Sequence, residues 1–176
     1  MRWRPRQYGI ATASRYAINY SEHHLLSHPE DTEQRVLLET HIDVDGTTLR
    51  VFNTHLSLSD QARQTQVQEI LEITNRYDER TIIVGDFNSR PESQPIEALR
   101  DDYRDVLHEH GEAEFTFRMP PIGNYSDENL ARHVDDPRRL DYVFCTPDLE
   151  TKFPETYYSP ASDHAAIAVD VRFIDE

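Results

Sequence analysis

Thr81-Ile82-Ile83-Val84-Gly85-Asp86-Phe87-Asn88 is the stretch on which the fold turns. It opens with a continuous apolar run, too short for a helix and closed by a Gly-Asp pair, which is the pattern of a strand buried on both faces. Upstream, Val67, Ile70, Leu71, Thr74 and Tyr77 recur at the three- and four-residue spacing of one helical face. Ser59 or Asp60 is placed to cap that helix, which is predicted to run through about Tyr77 and to cover a sheet. Further upstream, Arg35 to Val44 and Thr47 to Thr54 alternate apolar and polar residues around Asp45-Gly46, a pair that tolerates positive φ, and predict a hairpin. Tyr8 to Ser14 is predicted as another strand. Downstream, Pro91 to Leu99 predicts a loop entering a second short helix, and Leu140 to Cys145 and Ala165 to Phe173 complete the strand set. Met119 to Pro137, with Pro120-Pro121, Gly123 and many charges, predicts a long surface loop. Strands interleaved with two helices make the fold class α+β, with helices layered on a sandwich of sheets.

A chain of 176 residues without internal repeats or low-complexity tracts is expected to form a single domain across residues 1–176. It holds no apolar run of about 18 residues, and Arg2, Arg4 and Arg6 are not followed by a signal-like stretch, so a soluble, cytoplasmic protein is expected. The lone cysteine, Cys145, excludes an internal disulfide and a multi-cysteine zinc site; its apolar setting predicts a buried, unreactive thiol.

Formal net charge is −15, and Lys152 is the only lysine among 18 basic residues. Proteins that grip long nucleic acid through phosphates carry a basic stripe, and this sequence shows none. An acidic, lysine-poor composition fits a halophilic habitat, where salt shortens the reach of surface charge. The melting temperature is therefore expected to rise as KCl approaches molar concentration; thermal melts showing no rise would contradict a halophilic origin.

Four polar motifs flank the predicted strands. Asn53-Thr54-His55 and Gly85-Asp86-Phe87-Asn88 follow strands, whereas Leu140-Asp141 and Ser162-Asp163-His164 precede them. Antiparallel pairing would bring His55, Asp86, Asn88, Asp141, Asp163 and His164 to one rim, where active sites are commonly assembled. Phosphoester hydrolysis needs charge neutralisation at phosphoryl oxygens, an oriented water, and donors for the transition state. The carboxylates of Asp86, Asp141 and Asp163 suit a hard cation, Mg²⁺ or Mn²⁺, and Asp141 is the natural orienter of the His164 imidazole.

Each of these residues also has a purely structural use. Asp86 and Asn88 suit a turn closed by side chain to backbone bonds, and Asp163-His164 suits another. His23, His24, His28, His41, His108, His110 and His133 read as structural or surface histidines. Arg138-Arg139 is either a solvated charge cluster or a phosphate clamp.

Taken in order, Asn53-Thr54-His55-Leu56, Gly85-Asp86-Phe87-Asn88, Arg139-Leu140-Asp141-Tyr142-Val143-Phe144 and Ser162-Asp163-His164 resemble the endonuclease/exonuclease/phosphatase superfamily, as do Tyr8-Gly9 and Ser14-Arg15. The resemblance implies a four-layered αββα sandwich of mostly antiparallel sheets and a metal-dependent phosphoesterase, either a nuclease or a phosphatase. It implies that Asp86 positions or deprotonates the attacking water, Asn88 orients it and His55 stabilises the phosphate. His164, held by Asp141, would bind a phosphoryl oxygen or transfer a proton; Asp163 would reach Mg²⁺ or Mn²⁺, and Arg15 would contact phosphate.

The superfamily's opening strand with its Asn, and the Glu that is its principal metal ligand, precede the Tyr8-Gly9 equivalent, and this sequence has no counterpart for them. The expected fold is accordingly a sandwich lacking its first strands, with little turnover by this chain alone and homodimerisation through an exposed sheet edge. The alternative function is a catalytically silent binding or assembly module. Substrate selection is expected from the Met119 to Pro137 loop, through Tyr125, Arg132 and His133.

Overall fold

The computed structural model describes residues 9–28, 33–111, 115–117, 138–159 and 161–174. In chain order these form β1 (Ala17–Leu26), β2 (Arg35–Val44), β3 (Thr47–His55), α1 (Asp60–Thr74), β4 (Thr81–Asp86), α2 (Gln94–Asp102), β5 (Arg104–Asp105), α3 (Val106–Glu109), β6 (Asp141–Cys145), β7 (Leu149–Tyr157) and β8 (Ala166–Phe173). A six-stranded sheet runs β1-β2-β3-β4-β6-β5, antiparallel except between β3 and β4, and β7 pairs with β8 in a second sheet. The fold is α+β. The Met119 to Pro137 loop, with Tyr125, Arg132 and His133, lies outside the described residues, as does Tyr8.

The β2–β3 hairpin forms across Asp45-Gly46, both at positive φ (53° and 89°), and Gly46 N–H donates to the Asp43 carboxylate. Helix α1 starts where the sequence predicts, with Ser59 accepting from Ala62 N–H, but ends at Thr74 with Asn75 as its cap. Tyr77 therefore leaves the helix and turns its hydroxyl to Glu39.

Two apolar layers cover the faces of the large sheet. On one, Val67, Ile70 and Leu71 of α1 and Ile96 and Leu99 of α2 pack on Leu37, Phe52, Ile83 and Phe144. On the other, Ile82, Val143 and Cys145 meet Ile167, Val169, Val171 and Phe173 of β8. The central strand β4 feeds both layers, as its unbroken apolar run requires, and fully burying one such aliphatic side chain contributes roughly 1.5–3 kcal/mol. Cys145 is fully buried, and burial pushes its thiol up to about 11.

The sequence expectation at the front is corrected here. Residues 9–14 form no strand; the strand is Ala17–Leu26 instead. Residues 17–23 are exposed along the sheet edge, so β1 carries no apolar alternation and is held by its pairing with β2. Strand β7 was likewise not predicted, because Pro154 reads as a strand breaker. The register shifts between Lys152 and Glu155, with Phe153 at φ 51°, and this bulge accommodates the proline. Among the described residues no helix is long and apolar enough to cross a membrane.

Candidate active site at the sheet rim

Strand register builds the site. His55 pairs with Asp86 across the parallel β3–β4 ladder, and Asp86 pairs with Asp141 across the antiparallel β4–β6 ladder. The two motifs that follow strands thus reach one rim through parallel pairing, and the motif that precedes β6 reaches it through the expected antiparallel pairing. The ladder continues one step beyond the strands, through Leu56 N–H to Asp86 C=O (2.9 Å) and Phe87 N–H to Leu140 C=O (2.8 Å), so the rim backbone is fixed.

Gly85 is essential to this row. It has φ 143°, and a Cβ there would lie 1.9 Å from the Thr54 carbonyl oxygen. Past the strand, Asn88 adopts φ 48°; its N–H donates to Asp86 Oδ1 (2.8 Å), and its side-chain amide donates to Leu56 C=O (2.9 Å). The turn and the site therefore use the same two residues.

His164 reaches the rim by another route. Thr116, completely buried, accepts at its hydroxyl from the N–H groups of Leu140 and Asp141, and its carbonyl accepts from Ala165 N–H (2.7 Å). This stitches the start of β6 to the segment before β8. His164 Nδ1 then lies 2.8 Å from Asp141 Oδ2, and its ring meets Phe117 edge-on at 5.0 Å. With Nδ1 engaged, Nε2 faces Asp86 Oδ2 at 3.8 Å, while His55 Nε2 approaches the same oxygen at 3.5 Å. His55, Asp86 and Asp141 line one cleft of about 440 Å³ with Ile10, Asn53 and Ala165.

The charges at the rim act on one another. Burial raises the Asp86 carboxyl above its ordinary value, and the Asp141 carboxylate raises it further, against the Asn88 hydrogen bond and the attraction of His164 and His55. The hydrogen bond to Asp141 raises the His164 imidazole above 6.5 despite burial, with added attraction from Asp141, Asp86 and Asp163. Because the Asp86 pKa is higher folded than unfolded, its favourable contribution is present below the unfolded value of about 3.8 and is lost as pH rises through the folded value. At neutral pH the ionised carboxylate thus costs stability. Asp86→Asn is expected to stabilise the metal-free protein by on the order of 1 kcal/mol, a rise of about 2–4 °C in melting temperature, while removing function. A calorimetric scan of the two proteins in chelator measures this.

Ligand atoms of Asp86, Asp141 and His164 all lie within 4.8 Å of one another. Two carboxylates in that triplet fit a hard divalent cation. Asp163 is half-exposed beside His164, outside the triplet, and acts on His164 through its charge. Arg15 is exposed, with its guanidinium over the Tyr16 ring and donating to its hydroxyl; its contacts among the described residues are with Tyr16 rather than with the rim. Arg139 is neither solvated nor a clamp: it is buried, paired with buried Asp105, and stacked over Tyr142 at 4.6 Å.

Sequence reasoning missed three supporting residues. Thr116 carries no motif signal. Tyr142 donates its hydroxyl to Ser89 C=O (2.7 Å) and locks the loop after Asn88. Arg63 of α1 is largely buried, feels the Asp86 charge, and lines a second cleft with Asn88, Arg90 and Arg138.

The family model described as the endonuclease/exonuclease/phosphatase family matches residues 1–164. An endonuclease/exonuclease/phosphatase from Bacteroides vulgatus superposes with a TM-score of 0.71 at 17% identity, over 90% of this chain and 66% of its own. The mannosyl-6-phosphatase of Bacteroides thetaiotaomicron gives 0.67 at 17% identity, over 90% and 67%. The human Nocturnin catalytic domain, solved with a bound sulfate anion, gives 0.66 at 17%, over 90% and 60%. At these identities the likeness is one of fold, and the chain spans about two thirds of the length of these structures. No curated protein matches it.

Proposed function

Since the chain belongs to the endonuclease/exonuclease/phosphatase family, we propose that it hydrolyses phosphoesters by in-line attack of water, using His55, Asp86, Asn88, Asp141 and His164. The observation that carries this reading is the cross-strand row His55, Asp86, Asp141, with His164 bonded to Asp141 at 2.8 Å. The carboxylates of Asp86 and Asp141 would hold Mg²⁺ or Mn²⁺ beside His164, and the ion would neutralise phosphoryl oxygens when bound. The Asp86 carboxylate takes up the proton of the water through the oxygen not given to the ion, and the Asn88 amide helps to aim that water. His164, its protonated form favoured by Asp141, offers Nε2–H to a phosphoryl oxygen, and His55 offers a second donor from the other side of Asp86. Asp163 is read as an outer carboxylate supporting the cation, and Arg15 as a phosphate contact made only if the exposed segment before β1 swings to the rim.

The acidic surface favours small phosphoesters or short nucleic acid contacts over long duplexes. With two carboxylates in the cation site, turnover is expected to be weak. The experiment is nitrophenol release from bis-p-nitrophenyl phosphate with Mn²⁺ or with chelator. Metal-dependent release abolished by Asp86→Asn is the expected result; release indifferent to both would overturn the reading. The exposed β1 edge, with Ile18 and Tyr20 uncovered, is expected to support a homodimer. A monomer by light scattering at high concentration would exclude it.

A further inference from the structure

Away from the rim, on the helix-covered face of the sheet, two histidines that read as structural in the sequence converge on one buried carboxylate. Glu39 of β2 has a side chain only 3% exposed. His24 Nε2 lies 2.8 Å from Glu39 Oε2 and His41 Nε2 lies 2.6 Å from Oε1, where the Tyr77 hydroxyl also donates at 2.7 Å. Glu22 sits directly opposite Glu39 in the β1–β2 ladder, at the solvent mouth, and accepts from Tyr20, whose ring packs on His41 at 4.7 Å. Ligand atoms of Glu22, His24 and Glu39 all lie within 4.8 Å of one another.

We propose that Glu22, His24 and Glu39 form a second metal site, for a borderline divalent ion of the Zn²⁺ class, with His41 holding the other oxygen of Glu39. The donor set is one imidazole nitrogen and two carboxylates, which balance a divalent charge and give the three protein ligands of an open zinc-type site, the fourth position being left to water. The histidines reach Glu39 from neighbouring strands at different oxygens, so His24 Nε2 and Oε2 face the Glu22 side while His41 and Tyr77 fix Oε1. Bonds of about 2.0–2.2 Å would be reached by parting the present hydrogen-bonded pairs by roughly half an ångström, within the reach of side-chain rotation. The surrounding shell is also built: Tyr77 holds the Glu39 oxygen, Arg50 stacks on the Tyr77 ring at 4.6 Å, and Tyr20 holds Glu22. An ion here would tie the edge strand β1 to β2 and to the turn after α1, fixing a strand whose outer residues are otherwise exposed. The site does not depend on the hydrolytic reading, because it shares no residue with the rim.

The test uses the full chain carrying Asp86→Asn and Asp141→Asn, which removes the rim carboxylates. Titration with Co²⁺, followed by its visible absorption, is expected to show one equivalent in a four-coordinate environment, displaced by Zn²⁺. Zn²⁺ at a hundred times its dissociation constant should raise the melting temperature by roughly 5 °C or more. His24→Ala, and separately the surface change Glu22→Ala, should each weaken Co²⁺ about tenfold or more. No Co²⁺ uptake by the rim-silenced chain, or undiminished affinity in either variant, would overturn the proposal and leave a hydrogen-bonded carboxylate only.

Discussion

Asp141→Asn is expected to lower kcat/KM for phosphodiester hydrolysis by about 10²- to 10³-fold and to move the alkaline fall of activity to lower pH. Asp141 bonds His164 Nδ1 at 2.8 Å and is the principal cause of its raised pKa. In the wild type the imidazolium persists to higher pH than an ordinary imidazole and presents Nε2–H to the phosphate; rate then falls as pH rises through the raised value. An Asn in its place keeps the shape but removes the charge, so His164 deprotonates earlier. Stability follows the same sign. The His164–Asp141 pair contributes fully below the unfolded His value of about 6.5, and its contribution is lost as pH rises through the higher folded value. Paired pH–rate and pH–melting profiles of the two proteins measure both effects. A variant whose alkaline limb does not move would show that His164 is not the titrating donor.

Gly85→Ala is expected to be the most damaging single change in the chain, costing about 3–5 kcal/mol. The added Cβ would lie 1.9 Å from a backbone oxygen of Thr54, and backbone in a sheet cannot step aside as a side chain can. Relief requires β3 and β4 to separate, and this is where His55 faces Asp86. Activity should fall with stability, and denaturant melts with circular dichroism would record the loss. A well-folded, active Gly85→Ala protein would mean that the β3–β4 register is not as described.

What the sequence made legible depended on whether local pattern and final environment agreed. The β2–β3 hairpin, α1 and β4 were readable because each has an apolar face in its own stretch: Leu37 and Phe52 inside the hairpin, Val67 and Ile70 on the helix, Ile83 in the strand. Strand β1 was not, because an edge strand with exposed residues needs no apolar alternation, and its ladder to β2 is a tertiary fact. Strand β7 hid behind Pro154, tolerated only through a bulge. At the rim, motifs located His55, Asp86, Asn88, Asp141 and His164, since strand ends announce themselves in sequence. Thr116 could not be found this way: it acts by backbone and hydroxyl bonds to Asp141 and Ala165, residues about 25 and 49 positions on, and nothing in its own neighbourhood marks it. His24 and His41 show the same blindness, for only the β1–β2 register brings both to Glu39.

The claim on which the account rests is that Asp86 and Asp141, with His164 beside them, form one pocket able to hold a hard divalent ion against a phosphoryl group. Calorimetric titration of Mn²⁺ in the presence of inorganic phosphate, into this chain and into its Asp86→Asn/Asp141→Asn variant, tests it directly. The account predicts one equivalent that phosphate tightens in the wild type and that the variant loses. Identical Mn²⁺ isotherms for the two proteins would contradict it.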